Sequence, residues 1–87
     1  MRAKIKEYNG GYAVVHFFPD SEQEQKALSA FKNNNANDSI ELAVIRWAEK
    51  AILDEGLGKH SVVGFEGVQN NLYYIFKVQK EGSIGGF

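Results

Sequence analysis

Residues 3–18, AKIKEYNGGYAVVHFF, read as one β-hairpin. Asn9-Gly10-Gly11 supplies residues that tolerate positive φ, which a tight turn between two strands requires. Before the turn, Ala3 and Ile5 alternate with Arg2, Lys4 and Lys6. That is the pattern of a half-buried strand, and its lysines suit a sheet edge. After the turn, Tyr12, Val14, His16 and Phe18 face one way and Ala13, Val15 and Phe17 the other. Both sets are apolar, so this strand belongs at the centre of a sheet, covered on both sides. Pro19 ends it, because proline brings no donor to the ladder.

The far end of the chain repeats this layout. Residues 61–67 and 72–79 form a second hairpin across residues 68–71. Val63 and Phe65 oppose Val62, Gly64 and Glu66; Leu72, Tyr74, Phe76 and Val78 oppose Tyr73, Ile75, Lys77 and Gln79.

Residues 21–55, between the hairpins, have helical periodicity. Ser21 with Glu24 three positions on has the spacing of a capping box, and Ala27, Leu28 and Phe31 make a short apolar stripe. Asn33-Asn34-Asn35-Ala36-Asn37 interrupts it, since asparagine side chains compete for helical hydrogen bonds. Asp38 with Glu41 repeats the capping spacing. Ile40, Val44, Trp47, Ala48 and Ala51 then recur at three and four, with Ile45 and Ile52 widening the face. Leu42 and Leu53 fall on another side and call for a cover of their own, either the first helix or another subunit. Gly56 is placed for a left-handed stop with Leu57 folding back.

These readings predict an α+β fold in the order β-β-α-α-β-β. The sheet has four mainly antiparallel strands, and both helices pack on one face. One domain is expected over residues 1–80, followed by a flexible C-terminal tail at 81–87. The expected core is Ile5, Val14, Phe18, Phe31, Val44, Trp47, Ala51, Val63, Leu72, Tyr74 and Phe76. A one-residue slip in the second or fourth strand would exchange its two faces.

Composition narrows the function classes. The 87 residues include no cysteine, so packing alone, or packing plus a partner subunit, must hold the fold. The first residues lack the apolar core of a signal peptide, and no segment approaches a membrane span. A cytoplasmic protein with no membrane partner is expected. Net charge is −1, which gives no global drive toward nucleic acid. Its distribution is uneven: residues 20–55 carry eight acidic against four basic side chains, whereas residues 1–19 carry three basic against one acidic. Ordinary helix and strand propensities account for that split.

No motif carries chemistry. His16 and His60 are the only histidines and lack the spacing of a metal pair. His16 reads as a semi-buried strand residue, His60 as a solvated loop residue. The best enzymatic use would pair His60 with Glu66 or Asp54. Gly56-Leu57-Gly58-Lys59-His60-Ser61 imitates a phosphate loop, but its glycines follow a helix, where carbonyls rather than amides point outward. Asn37-Asp38-Ser39 reads as a helix cap, and no serine has the context of a nucleophile elbow. No catalytic residue, metal or cofactor is expected.

The function expected is a small non-enzymatic interaction or regulatory module that binds a protein partner, or itself as a homodimer. Contact would run through an edge strand or through a sheet face carrying Ala13, Val15, Phe17, Tyr73 and Ile75, too apolar to leave in water. The alternative is single-stranded nucleic-acid binding, RNA or DNA, through an aromatic and basic sheet face. It would place Arg2, Lys4, Lys6 and Lys77 around Tyr73 and its neighbours.

Overall fold

The computed structural model describes residues 1–82. The elements are β1 (Arg2–Tyr8), β2 (Tyr12–Phe18), α1 (Glu22–Lys32), α2 (Asp38–Asp54), β3 (His60–Gln69) and β4 (Tyr73–Lys80). They build one antiparallel sheet in the order β1-β2-β4-β3. Each hairpin supplies one edge and one central strand, and the two hairpins join where β2 pairs with β4.

Asparagine makes both turns. The Asn9 side chain accepts from the amides of Gly11 (3.0 Å) and Tyr12 (2.8 Å), while Gly10 takes φ 89°. In the second hairpin Asn70 and Asn71 take φ 55° and 58°, and the Leu72 amide donates to the Gln69 carbonyl (3.1 Å). Two successive left-handed residues suit a strand twist that asparagine tolerates. This tightens the turn, extends β3 to Gln69, and leaves Leu72 in the turn at 49% exposure instead of in the core.

The helix caps follow the spacing with two shifts. Ser21 accepts from the Glu24 amide (3.2 Å), but the Glu24 carboxylate answers the Asp20 amide (2.7 Å) rather than that of Ser21. Asn37, not Asp38, caps α2, accepting from the Ile40 amide (2.9 Å). Asp38 instead places its charge in the first turn, where the helix dipole favours it. Asn34 stops α1 at φ 60°, and Gly56 stops α2 at φ 80°. The Leu57 amide folds back to the Ile52 carbonyl (3.3 Å), and its side chain packs on the core.

Both helices cover one face of the sheet, and that face carries Ala13, Val15 and Phe17 from β2 with Tyr74, Phe76 and Val78 from β4. Helical partners include Leu28, Phe31, Val44, Ala48 and Ile52. Val14 and Phe18 therefore lie on the opposite face: Val14 is buried as expected but not beneath the helices, and Phe18 is half-buried, correcting its expected place in the core. The polar groups decide this. The set with Val14 and Phe18 also brings Tyr12 and His16, whose polar tips need partners, whereas Ala13, Val15 and Phe17 bring none. Ile5 and Trp47 are half-buried against the same core.

Val63 also leaves the core, at 59% exposure. β3 has two register shifts, at Val62/Gly64 and Phe65/Gly67, and the first turns Val63 outward. Leu42 and Leu53 remain exposed, so α1 does not cover them. Of the tail expected to be flexible, residues 83–87 lie outside the described residues. Glu81 is tied down: its amide donates to the Lys59 carbonyl (2.9 Å) and its carboxylate pairs with the Lys59 ammonium (3.7 Å). Among the described residues no helix is long and apolar enough to cross a membrane.

Candidate functional site

The face opposite the helices is the candidate site. Register assigns its residues. Arg2 lies across from Phe18, Lys4 from His16, and Glu7 from Val14. On the other side of β2, Val14 lies across from Ile75, His16 from Tyr73, and Tyr12 from Lys77. Alternation along β1 keeps Lys6 on this face with Arg2 and Lys4, and the bulge between Ile5 and Glu7 adds Glu7 beside it, across from Val14. The face thus holds four cations, Arg2, Lys4, Lys6 and Lys77, against the carboxylates of Glu7 and Glu66.

Its rings form a continuous row. The His16 ring centroid is 4.1 Å from that of Phe18 and 5.1 Å from that of Tyr73. Cations lie over both ends: the Arg2 guanidinium carbon is 5.6 Å from the Phe18 centroid, and Lys6 Nζ is 3.9 Å from that of Tyr73. Both distances permit a cation–π attraction of about 0.5–1 kcal/mol at an exposed site. Lys6 sits on β1 and Tyr73 on β4, so the lysine stem crosses above β2. Val14 beneath this layer is only 8% exposed, while Tyr12 at the margin is 40% exposed. At the far end Lys77 Nζ pairs with Glu66 at 3.0 Å, and that hydrogen bond and charge raise the lysine pKa above 10.5.

All five residues of the nucleic-acid alternative, Arg2, Lys4, Lys6, Lys77 and Tyr73, are therefore brought to one surface. The protein-interface set is divided. Tyr73 and Ile75 are on the open face, but Ala13, Val15 and Phe17 lie beneath the helices and cannot touch a partner there. Alternation displays the shared face of Arg2, Lys4 and Lys6, but the bulge that adds Glu7 and the reach of Lys6 to Tyr73 depend on pairing, which local sequence does not display.

His60 is not a solvated loop residue. It opens β3 at 2% exposure, and both ring nitrogens are used: Nε2 shares a hydrogen bond with Tyr8 Oη (2.7 Å) and Nδ1 donates to the Gly58 carbonyl (3.0 Å). Neither proposed carboxylate joins it, since Glu66 pairs with Lys77 and Asp54 with Lys50 (2.9 Å). Among the described residues no three His, Asp or Glu side chains cluster to hold a metal ion.

A second feature escaped the sequence: a groove of about 380 Å³ between the start of α2 and β3, lined by Phe31, Ile45, Val62 and Phe65 with Glu41 at its rim. Gly64 and Gly67, glycines inside a strand pattern, were the available sign of the bulges that open it. No known family model matches this chain, and no curated protein or solved structure matches it.

Proposed function

We propose that the protein is a non-enzymatic module that binds single-stranded nucleic acid on the open face of its sheet. The observation that carries this reading is the grouping of Arg2, Lys4 and Lys6 around Phe18, His16 and Tyr73 on one surface. Phosphates release counterions when such cations neutralise them, and unpaired bases stack on such rings. The net charge of −1 does not oppose this locally. The acidic surplus belongs to the helical layer across the sheet, and salt screens charges beyond about 8–10 Å.

Contact through an edge strand has less support. β1 carries three cations and a bulge. β3 has two bulges, and the Glu49 carboxylate already accepts from the outward Val62 amide (2.9 Å). These are features that blunt strand addition.

The test is fluorescence anisotropy of a labelled single-stranded oligonucleotide at low salt. The expected result is saturable binding that weakens at least about tenfold in the Lys4→Glu, Lys6→Glu double variant, where two phosphate contacts become repulsions. Equal binding by both proteins would reject the site. A protein contact, including self-association, has its own support at the α2–β3 groove, where Val63 and Phe65 are exposed. Sedimentation of the wild type beside Val63→Glu would detect a homodimer held there.

A further inference from the structure

Building on the nucleic-acid reading of the open face, we infer that the ligand is an extended single strand lying along β1 in a register of three nucleotides. Its phosphates sit on Arg2, Lys4 and Lys6, and its bases turn across β2 onto Phe18, His16 and Tyr73. Alternate side chains of a strand project to one face about 6.6–6.8 Å apart. That repeat, regular from Arg2 to Lys4 ahead of the bulge between Ile5 and Glu7, is close to the phosphate spacing of an extended single strand. Because β1 is an edge strand, a sugar–phosphate backbone has open solvent on its outer side. The rings stand on the inner side: Phe18 is across from Arg2 and His16 from Lys4, while Tyr73 lies beyond His16 on β4, where the Lys6 ammonium reaches over it at 3.9 Å.

In the free protein the cations lie over the rings they would serve, with Arg2 over Phe18 and Lys6 over Tyr73. A bound strand draws the cations outward to its phosphates and exposes the rings to its bases. The same side chains thus shield the face from water when empty and grip the ligand when filled. Lys77 stays outside this register. It is on β4 beyond Val14 and Ile75, and Glu66 already holds its ammonium at 3.0 Å. The phosphate count is therefore three, not four. Stacking on ring faces tolerates any base, so sequence preference is weak.

The test is anisotropy with labelled thymidine oligonucleotides of graded length and a blunt duplex, each titrated with salt. Affinity should rise steeply up to about three or four nucleotides and little beyond. For a single strand each neutralised phosphate contributes about −0.7 to the log–log salt slope, so three give about −2, a loss of about 20-fold between about 50 and 200 mM salt. Lys4→Gln should reduce the slope by about one phosphate, and Lys77→Gln should leave it unchanged. Tyr73→Leu, which retains an apolar side chain on the face, should weaken binding about tenfold with the slope intact. The duplex should bind more weakly than the single strand. Equal duplex binding, an unchanged slope in Lys4→Gln, or an equal slope change in Lys77→Gln would overturn the register while leaving the face a nucleic-acid site. Failure of every oligonucleotide to bind at low salt would overturn both.

Discussion

Tyr8 and His60 are 52 positions apart and bond at 2.7 Å, fastening the end of β1 to the start of β3. Tyr8→Phe would leave a buried ring nitrogen without a partner, at a cost of about 1–3 kcal/mol, read by urea unfolding. No spacing rule could have joined these residues, so the reading of His60 as a solvated loop residue failed for a physical reason: its partner comes from the opposite edge of the sheet. The capping residues were legible because their bonds are local. Glu24 goes further than its cap. Its carboxyl is held below its ordinary 4.5, first by the Asp20 amide and next by the Met1 ammonium. The Met1 amine is raised above 8.0, first by Asp20 and next by Glu24. A depressed carboxyl stabilises the fold above 4.5, and this is lost as pH falls through its folded value. A raised amine stabilises it below 8.0, and this is lost as pH rises through its folded value. Stability from this cluster is therefore complete between those limits and declines on both sides. Glu24→Gln, which keeps an acceptor for Asp20, should flatten the acid decline of the urea midpoint; an unchanged decline would assign it to other carboxylates.

Among the elements, β2 decides the architecture. Its two apolar faces correctly placed it at the centre of the sheet, but they left open which face the helices take. The polar tips of Tyr12 and His16 settle that choice, and they send Phe17 inward and Phe18 outward. Phe17→Ala should cost about 3–5 kcal/mol, as expected for emptying a packed aromatic site. Phe18→Ala should cost about 1 kcal/mol, because its ring has lost less contact with water. Reversed costs in urea unfolding would put the helices on the other face. The hairpins and helices could be read from alternation and caps. The bulge in β1 could not, because a bulge is a property of a strand pair, and those in β3 left only Gly64 and Gly67 as a sign. Those bulges put Glu7 on the open face and Val63 out of the core, and strand pairing alone brings Tyr73 and Lys77 beside the cations of β1, so the site was less legible than the fold.

At the scale of the whole molecule, the sheet separates two surfaces of different character. The helical side carries the acidic excess, the exposed leucines of α2 and the groove beside β3. The open side carries Arg2, Lys4, Lys6 and the ring row. The composition average of −1 conceals this division, and for that reason it argued against nucleic acid in the sequence. Amide chemical shifts recorded by NMR while a short single-stranded oligonucleotide is titrated in would test the central claim most directly. Binding at the open face predicts saturable shifts along β1, β2 and β4, strongest near Lys4, His16 and Tyr73. A spectrum that does not change, or changes confined to the groove around Ile45 and Phe65, would contradict it.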